Sequence, residues 1–220
     1  DMRREKMLEL LGIIKPDSYL RKGIGAKILW ELPRQLPIKI ASIREYRVPE
    51  SLCAEHYAHI KGRPFYPWLV EYMMASPVFV LLIQSENNII PELREFLGDT
   101  MAHKAKENTI RGRFGIYGGI NCVHISDEEE NARKEVGLWR DKAGLEAGKM
   151  DINIEEYYQK FKDLPDHTMD LRKIAFEIAE KGTSPERELK IKDLVGKENP
   201  NLTHEEREKL VKIIVGGCVG

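Results

Sequence analysis

Apolar residues along this chain arrive in short blocks separated by charged and turn-forming segments, and the spacing within each block predicts its element. Residues 7–14, MLELLGII, are an apolar run ending at Lys15-Pro16-Asp17, a buried strand stopped by a proline turn. Residues 23–32 have helical spacing that stops before Pro33, and 37–48 alternate as a strand does. Two short helices, 49–59 and 65–74, are separated by the break Lys61-Gly62-Arg63-Pro64-Phe65. Residues 76–84, SPVFVLLIQ, are rich in β-branched and large side chains and read as a strand. A helix over 91–98 closes at Gly98, and residues 99–114 lack periodicity and read as a long loop of the kind that carries function. GGINCVHISD (118–127) then reads as a strand running into a helix over 127–139, with Ser126 and Glu129 spaced as a capping box.

The order β-α-β-α-α-β-α-loop-β-α predicts an α+β sandwich of the ferredoxin-like kind, with a four-stranded antiparallel sheet. After about residue 150 strand signal fades. Leu171, Ile174, Ala175 and Ile178 share one face of a helix stopped at Gly182. A second helix has Ser184 as N-cap and Pro185 at its first position. A third opens with the capping box Thr203 and Glu206. The division expected is 1–145 as an α+β domain and 146–220 as an all-helical C-terminal extension.

Charge narrows the function classes. Lys plus Arg number 35 and Asp plus Glu 36, a formal net charge of −1. The extension carries 12 basic and 15 acidic residues over 151–220, which argues against a nucleic-acid-binding appendage. Neither nucleic acid nor a membrane is favoured as a partner. The longest apolar run, Pro77–Ile83, is too short to span a bilayer, and the start DMRREKMLELLG has no long apolar signal segment. Cys53, Cys122 and Cys218 are odd in number and far apart, without a C-x-x-C pair, which predicts a reducing, cytoplasmic setting.

Cations and donors for a polyphosphate sit at element ends: Lys15, Arg94, Thr100 and Arg111. Each taken singly also reads as an ordinary solvated group. Phe65 follows Arg63-Pro64 and can stack on a base or staple a helix. His56 and His59 are three apart, a weak metal pair with no third ligand nearby. His103, His167 and His204 lie in polar stretches and are expected to face water. The glycines of 115–119 make neither a P-loop nor a G-x-G-x-x-G site. By spacing alone His124 is equally a satisfied core histidine or a nucleophile. Ser126 and Glu135 can fix its ring, and each also reads as a plain helix residue.

Nine fragments in register resemble the nucleoside diphosphate kinases: KPD (15–17), RKGIGAKIL (21–29), EHY (55–57), KGRPF (61–65), LVEYMMASPV (69–78), LGDT (97–100), TIRGRFG (109–115), NCVHISD (121–127) and ARKEVGLW (132–139). The resemblance covers roughly 7–140. It implies γ-phosphate transfer from a nucleoside triphosphate such as ATP to a nucleoside diphosphate, in a ping-pong cycle through phosphohistidine at His124. It further implies that Lys15, Arg94, Thr100, Arg111 and Asn121 hold phosphates and sugar, and that Phe65 stacks on the base. Tyr57 would line the histidine's pocket, Ser126 and Glu135 would support its ring, and Mg2+ would ride on the phosphates rather than on protein side chains. A homo-oligomer is implied as well. The chain departs from the family at Ser18, where glycine is usual, at Arg113, where aspartate is usual, and in the loop MAHKAKEN (101–108), which lacks the usual Asn-Pro and Pro-Gly. Residues 141–220 match nothing in that pattern. Two other readings of the extension stand beside this one: a partner-binding scaffold that keeps the kinase fold, and a cap that makes the activity conditional.

Overall fold

The computed structural model describes residues 7–219; residues 1–6, which belong to the predicted first domain and to the start read for a signal, and Gly220 lie outside the described residues. Four strands, β1 (Leu8–Ile14), β2 (Lys39–Tyr46), β3 (Val78–Ser85) and β4 (Val123–Ile125), form one antiparallel sheet in the order β2-β3-β1-β4. All but one residue of β3 and the last five of β1 are buried. Both faces of the central strands are therefore covered, as a sandwich requires. The predicted sheet is the observed one.

Helices α1 (Pro16–Leu20), α2 (Lys22–Gln35), α3 (Glu50–His56), α4 (Tyr66–Met74), α5 (Ile90–Leu97), α6 (Ile110–Phe114) and α7 (Glu129–Ala143) cover the sheet. Several expectations need correcting. The proline turn after β1 is a short helix, with Pro16 at its first position, where its missing N–H costs nothing. α2 runs through Pro33, which falls in its last turn. The loop expected over 99–114 contains α6, whose N-terminus is capped by Thr109 Oγ accepting from Gly112 N at 3.1 Å. The strand expected from Gly118 is confined to 123–125: Tyr117 and Ile120 bridge across a tight turn, and Cys122 sits at φ 75°, a left-handed backbone that ends the extended run. Ser126 does not cap α7, which starts at Glu129 with no side-chain cap.

Beyond Gly144, the left-handed C-cap of α7, the chain runs beside the free edge of β2. Gly148 N donates to Ala41 O at 2.8 Å, and Ile43 N donates to Lys149 O at 3.0 Å. Four helices follow: α8 (Ile154–Phe161), α9 (Thr168–Lys181), α10 (Pro185–Glu198) and α11 (His204–Cys218). The last three are those the sequence predicts, and both local caps are made: Ser184 Oγ accepts from Arg187 N, and Thr203 and Glu206 form the full box. α8 is the addition. It lies along α2 with the Tyr158 and Trp30 rings stacked 4.3 Å apart.

The extension shares the hydrophobic core of the sheet domain. Arg21, fully buried, donates to Glu198 at 2.6 and 2.8 Å, to Thr168 Oγ1 at 2.6 Å and to Phe114 O at 2.9 Å. Burial alone would lower the Arg21 pKa, but Glu198 outweighs it and holds the guanidinium charged. Asn199 Nδ2 donates to Leu20 O and Trp68 Nε1 to Ile213 O. Among the described residues no helix is long and apolar enough to cross a membrane.

Candidate active site

β4 pairs His124 with Ile13 of β1, which sets its ring at the sheet's edge with a quarter of the side chain exposed. His124 Nε2 lies 3.2 Å from both carboxylate oxygens of Glu135 on α7. Ser126 Oγ donates to Glu135 Oε2 at 2.5 Å and accepts from Leu11 N at 3.0 Å. The serine is thus spent on the carboxylate and on β1, which is why it caps no helix. Burial would raise the Glu135 pKa, but the hydrogen bonds from His124 and Ser126 bring it below the ordinary carboxylate value. An ionised Glu135 accepts a proton-bearing Nε2, so Nδ1 is the ring nitrogen left with a free lone pair.

His56, read in the sequence as one half of a metal pair with His59, faces His124 instead. Their rings are 5.0 Å apart at 89°, and Trp139 Nε1 donates to His56 Nδ1 at 3.1 Å. The helix ends at His56, so exposed His59 falls on another element and cannot share its face. Burial lowers the His56 pKa to about 3, with His124 adding to the effect, and keeps it neutral. Tyr57 packs edge-on to His56 at 4.6 Å, and burial pushes its hydroxyl pKa up.

Across from the histidine stand a buried cation, Lys15, and a half-buried one, Arg111, neither paired with a carboxylate. Lys15 Nζ donates to Asn121 Oδ1 at 2.9 Å and Gly119 O at 3.2 Å, over the Tyr72 ring. Burial is the largest cause lowering its pKa to about 8, opposed by Asp17 and reinforced by Arg111. Arg111 donates to Gly98 O and Val123 O, both at 2.9 Å, while its Nε is buried with no partner. A buried, unanswered donor beside a cation that bonds only neutral oxygens marks a place for an anion. Asn121 also donates to Thr100 O at 2.7 Å, so Lys15, Asn121 and Thr100 form one connected edge.

Arg94 lies on the exposed side of α5, one turn before the Gly98 that Arg111 holds, and makes no ion pair among the described residues. Phe65 is 41% exposed at the start of α4 and its ring pairs with no other aromatic ring among the described residues. The structure therefore gathers His124, Glu135, Ser126 and Tyr57 into one group and Lys15, Asn121, Thr100 and Arg111 into its neighbour, while Arg94 and Phe65 are exposed and bond to neither group among the described residues. Sequence reasoning missed Tyr72, which accepts the Lys15 charge on its ring and donates to Asp17. It also missed Trp139, for which a Trp at helical spacing gives no signal beyond core packing.

A family model described as nucleoside diphosphate kinase matches residues 9–144, more than half of the chain. The chain belongs to the nucleoside diphosphate kinase family. The nucleoside diphosphate kinase of Staphylococcus saprophyticus is 36% identical over 127 residues, which are 58% of this chain and 83% of that one. Nucleoside diphosphate kinase B of Canis lupus familiaris is 38% identical over 126 residues, 57% of this chain and 81% of that one. Among solved structures, the halophilic nucleoside diphosphate kinase of Halobacterium salinarum in complex with CDP matches with a TM-score of 0.57 at 28% identity, covering 68% of this chain and 97% of that one. The Aquifex aeolicus nucleoside diphosphate kinase gives 0.55 at 30% identity, covering 60% of this chain and 94% of that one. The protein is a kinase acting on nucleotides, with the nucleoside diphosphate kinase activity of its family.

The departures from the family's pattern have local answers. Ser18 Oγ donates to Cys122 O at 2.5 Å and to Lys15 O, which ties α1 to the turn that carries Asn121. Arg113 forms a two-bonded pair with Glu31 at 2.7 Å. His103 of the altered loop does not simply face water: it stacks on Tyr117 at 4.2 Å and accepts from Gly118 N.

Proposed function

We propose that the protein moves the γ-phosphoryl group of a nucleoside triphosphate onto a nucleoside diphosphate through His124. The observation that carries this is the orientation of the ring: Glu135 holds Nε2, and the two carboxylate-free cations Lys15 and Arg111 share the site. The Nδ1 lone pair attacks the γ-phosphorus, the N–P bond forms, and the bond to the β-phosphate oxygen breaks, releasing the nucleoside diphosphate. The imidazole then carries a positive charge, which ionised Glu135 stabilises, and Ser126 keeps Glu135 in place. A second nucleoside diphosphate reverses the step. Lys15, Arg111 and Arg94 neutralise phosphate charge, Asn121 and Thr100 border the sugar and phosphates, Tyr57 walls the histidine, and Phe65 stacks on the base.

Mg2+ would enter with the nucleotide. The site suits an ion held by phosphates, because Glu135 is already spent on His124 and Ser126 and Asp17 on Tyr72. Residues 1–145 would carry the transfer, and 146–220 would be a helical extension packed onto it. The three buried thiols support a reducing, cytoplasmic setting. A homo-oligomer is part of the same reading, and light scattering decides it. The main test is transfer from ATP to a second nucleoside diphosphate by the native protein and by His124→Ala, with a search for an acid-labile phosphoenzyme. Transfer and phosphoenzyme are both expected to disappear in the variant. Transfer that persists without His124 rejects the mechanism.

A further inference from the structure

We infer that Arg172, on α9 of the extension, is a positioning residue for the transfer site, acting through the short helix that carries Arg111. This rests on the reading of Arg111 as a phosphate-holding group.

α6 has five residues, too few to be stable by its own hydrogen bonds, and beyond the cap bond from Gly115 N to Arg111 O at 3.0 Å its C-terminal carbonyls lie past the last helical donors. Arg172 supplies donors there. Its Nη1 donates to Gly112 O at 2.8 Å, its Nη2 to Arg111 O at 3.2 Å and to Gly115 O, and its Nε reaches Ile116 O at 3.4 Å. Arg21, itself locked to Glu198 and Thr168 of the extension, takes Phe114 O. Arg172 makes no ion pair among the described residues, so its whole fork is committed to the end of α6, where the helix dipole favours a cation.

Gly112 also lies close against the preceding loop: a Cβ there would stand 1.9 Å from Lys106 O. From this clamped helix the Arg111 side chain reaches Val123 O, the residue before His124. A backbone movement at α6 therefore displaces Arg111 relative to the histidine. Among the described residues no hydrogen bond or ion pair runs from residues 146–219 to the side chains of His124, Lys15 or Arg111. The extension braces the phosphate-holding helix from behind, as a support and not a lid.

The test is a double-mutant comparison. Phosphoenzyme formation from Mg2+-ATP is measured as kcat/KM for Arg172→Ala and Arg172→Lys, each in the native and the Arg111→Ala background. In the native background Arg172→Ala is expected to lower kcat/KM by about 10- to 100-fold, the scale of a misplaced substrate-holding group. Arg172→Lys, which keeps the charge but loses the fork, should fall between. In the Arg111→Ala background both changes should matter by less than about 2-fold, because residues acting through one group are not additive. An equal loss in both backgrounds, or no loss in the native one, overturns the inference. Should Arg172→Ala fail to fold, Arg172→Lys carries the same comparison. If Arg111→Ala alone leaves kcat/KM unchanged, the phosphate-holding role of Arg111 falls, and this inference with it. If Arg111→Ala is costly but uncoupled from Arg172, only the inference falls.

Discussion

When nucleotide affinity is followed from about pH 7 to about pH 10, Lys15 is the phosphate-site cation expected to lose its proton first. Its ammonium is buried and bonded only to the neutral oxygens of Asn121 and Gly119, Asp17 offsets only part of the desolvation, and its pKa falls from 10.5 to about 8. That difference corresponds to about 3 kcal/mol of penalty on the charged form in the empty site. Bound phosphate supplies the missing counter-charge and should return much of it. Above pH 8, binding then requires proton uptake, and the Kd for ADP should rise about tenfold per pH unit until the complex itself titrates. The sign for stability is opposite to that of a paired lysine. Between pH 8 and 10.5 the unfolded chain binds this proton and the folded one does not, so the group makes the ligand-free protein more stable as pH rises. Calorimetry of ADP binding in two buffers of different ionisation enthalpy reads both the Kd and the protons taken up. Lys15→Met should bind weakly with no such slope. A Kd that stays flat across this window in the native protein, or an equal slope in Lys15→Met, refutes the reasoning.

Three further outcomes are expected. Glu198→Ala strands the fully buried Arg21 and should cost about 3–5 kcal/mol in urea unfolding, whereas a loss below about 1 kcal/mol would mean that the pair does not join extension to core. Phe65→Ala should weaken binding of adenine, guanine and pyrimidine nucleotides alike, by about 1–3 kcal/mol each, because a ring reads a π-face; a loss confined to one base would argue for edge recognition in fluorescence titrations. Gly112→Ala forces a methyl group against the Lys106 carbonyl, and a thermal melt should show a loss of at least about 2 kcal/mol.

What the sequence by itself determined is what short-range physics decides. The strands β1, β2 and β3 follow from their apolar runs and alternation. α10 and α11 start where Ser184 and Thr203 place an oxygen three residues before a free backbone N–H, a bond made within one turn whatever surrounds it. The site residues came from fragments held in register, and their composition alone left His124 undecided between core and nucleophile. Tertiary structure decided the rest. Ser126 and Glu129 have the spacing of a cap, yet Leu11 N, distant in sequence, and Glu135 claim the hydroxyl first. α8 has a local cap, Asn153 Oδ1 accepting from Glu156 N, and the stack of Tyr158 on Trp30 then fixes it along α2, while α6 is a five-residue helix held by Arg172 of α9 and by Arg21 at the junction of α1 and α2. His56 has its spacing partner in His59 but its spatial partner in His124. In each case a polar or aromatic group had a local partner available and a distant one that burial made stronger, and only the folded chain brings the distant one within reach.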